Sequence, residues 1–140
     1  MARLRYWNQD PTVGWDEVTG KYSGSALNTF EVFNLLSRTA SANSSDFETN
    51  GRWDRATAYL TVTAVSGTLP TLDVIYQTSP DGGATWYDHE HFEQVVVADN
   101  QVMEIDNPGP FFRFRAVQTG TSDDFTFGVD IVGHRIGGRY

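Results

Sequence analysis

Apolar and polar residues alternate along much of this chain, and the alternation sharpens after about residue 55. Between residues 58 and 64 every second position is apolar, and the positions between them hold tyrosine and threonine. Period-two alternation of this length is typical of a β-strand with one buried face. The same pattern returns over residues 72–76, 112–116 and 125–131. The repetition predicts an all-β protein built from antiparallel strands.

Turn-forming residues lie between the predicted strands. Asp81-Gly82-Gly83 stands between two β-prone runs and predicts a tight hairpin, because glycine reaches positive φ without steric cost. Shorter strands are expected at 31–36, 92–97 and 102–105, turns at 66–70, 99–100, 107–110 and 120–124, and a loop at 41–50. The pattern predicts none of the helical crossovers that a parallel sheet needs. Short strands at this spacing favour an antiparallel β-sandwich of the jelly-roll type.

The shared alternation also selects a core. The apolar residues expected to face inward are Leu60, Val62, Leu72, Val74, Phe112, Phe114, Phe127 and Val129. Arg113 and Arg115 alternate with the two phenylalanines and are expected on the opposite face.

Residues 1–30 differ from the rest of the chain and are expected to form an irregular, extended arm ahead of a β-sandwich domain at 31–140. Their aromatic side chains are interleaved with glycine, proline, serine and asparagine, and neither a helical nor an alternating period is sustained. This segment is too aromatic for a typical disordered tail. Two interpretations remain open: the arm packs on its own domain, or it lies on a neighbouring subunit. In the second case the candidate partner-binding residues are Tyr6, Trp7, Trp15 and Tyr22.

Charge and composition narrow the classes of function. The 140 residues form one domain's worth of chain and carry a net charge of −8. No lysine or arginine occurs between Arg55 and Arg113, whereas acidic residues are frequent there. Such a block repels a phosphate backbone, which argues against nucleic-acid binding. The block favours an acidic face that is exposed to solvent. The alternative is an acidic face that contacts a basic surface on a partner.

Cysteine is absent from the sequence, which excludes disulfides and cysteine-dependent zinc sites and fits a reducing compartment. The chain also has no apolar run near the roughly 20 residues that a membrane helix requires. Arg3 and Arg5 are not followed by the apolar core of a secretory signal. We therefore expect neither a membrane span nor a signal peptide.

The residues Ser79, Asp81, Gly83, Thr85 and Trp86 match the Asp-box pattern found in sialidases and related propellers. An aspartate in such a turn accepts backbone N–H groups while the tryptophan packs against the hairpin. The motif is thus expected to be a structural turn. A sialidase is disfavoured, because a single copy occurs in a chain too short for a propeller and no arginine cluster for a substrate carboxylate is evident.

The run Asp88-His89-Glu90-His91 is the one candidate metal cluster in the sequence. His89 and His91 would point the same way on a regular strand, but a third fixed ligand is not evident, so a solvated strand edge is favoured and no metal or cofactor is expected. Loop oxygens of Asp46, Asp81 or Asp123-Asp124 would suit calcium, but no EF-hand spacing is present.

Signatures of catalysis are weak. No G-x-S-x-G elbow occurs, and histidine is scarce. Paired carboxylates for glycoside hydrolysis stay open, because their separation is spatial and not sequential. Exposed tyrosine and tryptophan would suit a carbohydrate platform, although a buried aromatic core accounts better for most of them. The chain is therefore not expected to be an enzyme.

From about Ala56 to Arg135 the sequence resembles a recurrent small β-sandwich protein of tailed-phage virions. The resemblance lies in residues 59–68, in Leu72-Asp73-Val74 with residues 79–86, in residues 112–116 and in residues 125–130. It implies a non-catalytic protein that decorates capsids or sits in necks and tails. The first 50 residues lie outside the resemblance, which leaves the mode of attachment undecided.

The resemblance implies a specific function and location. We expect a capsid decoration, or cement, protein that is made in the host cytoplasm, is located in the virion and bridges major capsid protein subunits. It is expected to form a homo-oligomer on the particle and to contact other virion subunits, but neither nucleic acid nor membrane. The alternatives are a neck or tail structural protein and a carbohydrate- or receptor-binding β-sandwich module.

Overall fold

The computed structural model describes residues 29–135, and every regular element among them is a β-strand. The strands are β1 (Thr29–Arg38), β2 (Ala42–Asn43), β3 (Phe47–Glu48), β4 (Arg55–Ser79), β5 (Tyr87–His91), β6 (Asp99–Asp106) and β7 (Phe111–His134). All the strand pairs whose register is resolved are antiparallel. The predicted all-β antiparallel class is therefore confirmed. Among these residues no helix has the length and hydrophobicity needed to span a bilayer.

Two long strands, β4 and β7, organise the sheet. They pair antiparallel along nearly their whole lengths, from Arg55 opposite His134 to Ser79 opposite Phe111. The remaining strands attach to this ribbon, in the order β1-β7-β4-β5, with β6 on β4 and with β2 and β3 on β7. The hydrogen bonds thus join all seven strands into one sheet.

The ribbon bends in its middle. Register shifts occur between Val62 and Thr71, and Gly67, Leu69 and Gly120 have φ angles of 118°, 50° and 129°. The sequence pattern predicted turns at 66–70 and 120–124 that would end separate strands. That prediction is wrong, because the chain bends through positive-φ residues while the two strands stay paired.

The bend divides the ribbon into two halves. The first half joins residues 55–65 to 125–134 and carries β6, while the second joins residues 71–79 to 111–119 and carries β2, β3 and β5. β1 runs beside the first half, where Arg38 bonds the Phe127 carbonyl.

A single hydrophobic cluster draws on both halves of the ribbon. All eight predicted core residues are at most 2% exposed, which confirms that part of the prediction. In the second half, the Phe112 ring lies 5.4 Å from Tyr76 and 5.1 Å from Phe47. Trp53 joins the halves, since its ring lies 5.4 Å from Phe112 and against Gly133, where a side chain would overlap the indole. The two halves therefore share one core.

The segment after β5 departs from the predicted strand at 92–97. Phe92 and Val95 are both buried, a spacing of three that a regular strand does not allow on one face. Val95 makes only an isolated bridge with Leu72, through two backbone hydrogen bonds of 2.9 Å. The strand itself lies earlier, at Tyr87–His91.

Two smaller predictions also need correction. Asp99 and Asn100, expected to form a turn, begin β6. The expected loop at 41–50 contains the two-residue strands β2 and β3, which pair with β7.

Candidate functional site

The turn between β4 and β5 is held by two short side chains. Ser79 Oγ donates to Asp81 Oδ1 at 2.8 Å and accepts the N–H groups of Asp81 and Gly83 at 3.3 and 2.9 Å. Asp81 Oδ1 also accepts the N–H of Thr85 at 2.9 Å. The Ser79 hydrogen bond, followed by those from Thr85, lowers the pKa of Asp81 below its usual value. These contacts are those expected of a structural turn.

Trp86 packs beside this turn. The Arg113 guanidinium lies 4.5 Å from the centre of the Trp86 ring. Gly83 has φ 97°, and a Cβ there would lie 3.4 Å from Trp86 Cζ2 and 3.2 Å from Asp46 Oδ2. Glycine at this position therefore satisfies both the backbone angle and the close approach of the ring.

A ladder of polar side chains crosses the outer face of the second half. Arg113 Nε donates to Gln77 Oε1, and Gln77 Nε2 donates to Asp88 Oδ1, both at 2.8 Å. Gln77 is only 5% exposed although it lies on the outward face. The ladder joins β7, β4 and β5 and fixes Asp88 on the edge strand.

The predicted cluster at 88–91 lies on β5, and each of its side chains is exposed. A register shift between Tyr76 and Gln77 of β4 falls opposite His89 and breaks the regular alternation. His89 Nε2 is 2.8 Å from the carbonyl of Asp106, while His91 Nδ1 is 3.0 Å from that of Phe92. The two imidazoles therefore have different partners. Within residues 29–135, no three histidine, aspartate or glutamate side chains are arranged to hold a metal ion.

One further polar network escaped the sequence analysis. Thr57 Oγ1 lies 3.0 Å from His134 Nε2 and 3.2 Å from both carboxylate oxygens of Glu104, and Arg55 pairs with Glu104 at 3.4 Å. The Thr57 hydroxyl, not the imidazole, contacts the carboxylate. In a nucleophilic triad the acid contacts and orients the histidine, so the arrangement here is not that of a triad. The contacts instead link β6, β4 and β7 where the three strands are paired.

Arg38 fastens the end of β1 to β7. Its guanidinium donates to the carbonyls of Phe127, Asn34 and Leu36 at 2.9, 3.0 and 3.2 Å. It also lies over the rings of Phe33 and Phe127, 4.9 and 4.7 Å from their centres. Partial burial lowers the pKa of Arg38. No sequence motif marks this residue, because its partners are backbone atoms and distant rings.

The outer face of the first half carries exposed apolar side chains. Tyr59, 42% exposed, lies between Val102 of β6, 64% exposed, and Asp130 of β7. Leu35, 53% exposed, borders a neighbouring depression above Gly128. We call Leu35, Tyr59 and Val102 the apolar outer patch. Exposed apolar groups on one sheet face are suited to contact with another macromolecule.

The candidate partner-binding residues Tyr6, Trp7, Trp15 and Tyr22 lie outside the described residues. Their proposed role in attachment therefore stays a prediction.

Comparison with known proteins gives a fold relationship and no family. No protein-family model matches the chain, and no curated protein matches it. Among solved structures, the chain is similar to the PBSX exported protein XepA, with a TM-score of 0.57 and 11% identity. The match covers 80% of this chain and 39% of XepA, so this chain spans less than half the length of that protein. At this identity the likeness concerns the fold alone.

Weaker structural similarities extend to two smaller proteins. PirA matches with a TM-score of 0.46 at 15% identity, over 76% of this chain and 94% of PirA. The SPBc2 prophage-derived protein YomS matches with a TM-score of 0.44 at 14% identity, over 75% of this chain and 91% of YomS. TM-scores below 0.5 do not establish a common fold.

Proposed function

We propose that this chain is a structural protein of a phage particle, and more specifically a capsid decoration protein bound to major capsid protein subunits. The observation that carries the proposal is the resemblance of residues 56–135 to small virion proteins of tailed phages. The fold shared with the PBSX exported protein XepA is compatible with it. A neck or tail position is the alternative within this class.

The surface of the described residues fits a role in assembly. The apolar outer patch offers a contact area on the first half of the ribbon, and the arm at residues 1–30 is proposed as a second attachment element. In this proposal binding energy comes from apolar area removed from water, at about 25 cal/mol per Å².

Co-sedimentation with particles tests the proposal. The full chain, labelled, is mixed with capsids and with isolated tails of the same phage, both lacking this protein. A decoration protein binds capsids at many copies per shell, because its site repeats with the lattice of major capsid subunits. Binding at a few copies per particle, or to tails alone, would assign the neck or tail instead. Absence of binding to either, together with binding to an immobilised glycan, would favour a receptor-binding module and overturn the proposal.

A matched pair of variants tests the apolar outer patch. Tyr59→Asp places a charge at the centre of the patch and should weaken capsid binding at least tenfold. Val97→Asp adds the same charge at a more exposed apolar residue, 64% against 42% for Tyr59, in the segment before β6. It should leave binding unchanged. Equal binding by both variants would remove the patch from the attachment surface.

A further inference from the structure

Within residues 29–135, no strand pairs with the outer edge of β5. β5 is hydrogen-bonded to β4 on one side and stands at the end of the strand order, with no strand on its other side among the described residues. All five of its residues, Tyr87–His91, are exposed. An edge of this kind presents unpaired N–H and C=O groups to an incoming chain.

A groove lies beside this edge on the outer face of the second half. Its volume is about 520 Å³, and its floor is formed by the half-buried side chains of Ile75 and Val117. Asp73 lies on one side, and Asp88 with the rest of β5 through His91 lies on the other. The groove therefore combines an apolar floor with an acidic rim.

The rim carboxylates have only neutral partners in the described part of the chain. Asp88 accepts a hydrogen bond from Gln77, and Asp73 accepts from Gln94 at 3.2 and 3.3 Å. No lysine or arginine lines the groove, in keeping with the absence of basic residues between Arg55 and Arg113. Arg115 lies opposite Ile75 across the β4–β7 pair but is not part of the groove lining, so the lining itself carries a negative charge that a cationic ligand would complement.

We propose that the β5 edge and this groove bind an extended, lysine- or arginine-bearing segment of a partner protein. The segment adds to β5 as a strand, so that its main chain bonds the free edge. A long basic side chain of this strand reaches back over β5 with its charged end toward Asp88, while Asp73, four residues from Gln77 along β4, adds negative charge farther along the groove. The ladder from Arg113 through Gln77 holds Asp88 in place for this contact.

Edge protection is the competing explanation for the same charges. Charged residues on an edge strand keep identical copies from pairing through repulsion. Binding of a basic strand distinguishes the two explanations. Our proposal predicts that such a strand binds β5, whereas edge protection alone predicts no binding.

Titration of the full chain with synthetic peptides tests the proposal. The probe is a seven-residue peptide in which lysine alternates with valine, followed by ¹⁵N–¹H NMR spectroscopy. We expect chemical-shift changes centred on β5, with smaller changes at its β4 partners from Ile75 to Thr78. A peptide of the same sequence with alternate backbone nitrogens methylated has the same charge but cannot complete the strand pairing, and it should bind at least tenfold more weakly.

Paired protein variants separate the groove from general acidity. Asp73→Asn with Asp88→Asn keeps the hydrogen-bond acceptors and should weaken peptide binding at least fivefold, with a shallower salt dependence. Glu48→Gln with Asp130→Asn removes the same charge from exposed positions on other strands and should leave binding unchanged.

Three results would overturn the inference: equal binding of the methylated peptide, equal losses in both variant pairs, or unchanged peptide binding with new dimers of the Asp73/Asp88 variant in sedimentation. This inference does not rest on the proposed function, because its test contains no phage particle.

Discussion

At the scale of single residues, the side chains of Ser79 and Asp81 together stabilise the β4–β5 turn. The backbone N–H groups of Asp81, Gly83 and Thr85 donate hydrogen bonds to the side-chain oxygens of Ser79 and Asp81. Asp81 is an acceptor that works best when ionised, because the carboxylate accepts from the Ser79 hydroxyl and the Thr85 N–H together.

Asp81→Ala should therefore lower the melting temperature at neutral pH while the variant still binds the particle. The pKa of Asp81 is depressed in the folded chain, so its contribution is present above the pKa of the unfolded chain and is lost as pH falls through the folded pKa. Melting curves of wild type and variant should differ at pH 7 and converge as pH falls below the usual aspartate pKa of about 3.9 and through the lower pKa of folded Asp81. A constant difference at every pH would contradict the role of the ionised side chain.

Phe114 is the residue whose truncation should cost most in the second half of the core. It is fully buried, and its ring lies edge-on to Tyr76 at 5.3 Å and 6.4 Å from Phe92. Phe114→Ala should reduce the free energy of unfolding by about 3–5 kcal/mol, through lost apolar burial and the cavity left behind. Urea denaturation measures this change. Tyr87→Ala, at a 56% exposed position, is the matched control and should change it by less than about 1 kcal/mol.

At the scale of elements, the bend in the β4–β7 ribbon lets two long strands serve both halves. At Gly67 the chain has φ 118°, and a Cβ there would lie 2.8 Å from the backbone of Asp123 and Ser122. At Gly120 the Pro70 backbone comes equally near, at 2.9 Å. Each strand therefore needs a glycine where the two backbones approach most closely. Leu69, 84% exposed with φ 50°, lies at the same bend.

Gly67→Ala tests the bend. We expect a loss of more than about 1 kcal/mol in the free energy of unfolding, because both the backbone angle and the opposite strand oppose a side chain. Gly51→Ala is the control, since Gly51 has φ 65° but no atom within 4 Å of an added Cβ. Chemical denaturation of the two variants separates the steric contribution from the conformational one. Equal losses of unfolding free energy in the two variants would show that the close approach of the strands at the bend adds no steric destabilisation.

At the scale of the whole molecule, attachment is proposed to depend on the arm at residues 1–30 as well as on the β-domain, the strands within residues 29–135. An extended segment adds contact area without requiring a large flat interface, and it loses conformational entropy when it docks. β1 begins at Thr29, so a shortened chain that starts there keeps every described strand.

Removal of residues 2–28 should leave a folded β-protein that binds its particle poorly. Circular dichroism should show a strand-dominated spectrum, and co-sedimentation with protein-free particles should fall at least tenfold. The double variant Trp7→Ala with Trp15→Ala in the full chain should reproduce the loss, which guards against an effect of truncation itself. Undiminished binding would place attachment on the β-domain.

The alternation of apolar and polar residues was sufficient to identify the stretches that form β4 and β7 and eight of the core residues that they carry. An inward-facing position in a two-faced strand must be apolar wherever the strand runs, so Leu60, Val74 and Phe127 could be assigned without knowledge of their neighbours. The Asp81-Gly82-Gly83 hairpin was equally readable, because its contacts span only residues 79–85. Local patterns thus determined the class of fold and the turn.

Tertiary structure decided what depends on residues far apart in the chain. Whether residues 66–70 end a strand or bend it depends on their pairing with 119–124, which no local signal contains. Phe92 and Val95 leave the strand pattern because Val74 and Leu72 offer them backbone partners. The groove beside β5 exists because the pairing of β5 with β4 brings Asp88 and Asp73, 15 positions apart in the sequence, to the lining of one depression. Pairing register, unlike alternation, is a property of two strands, and it became visible only once the chain was folded.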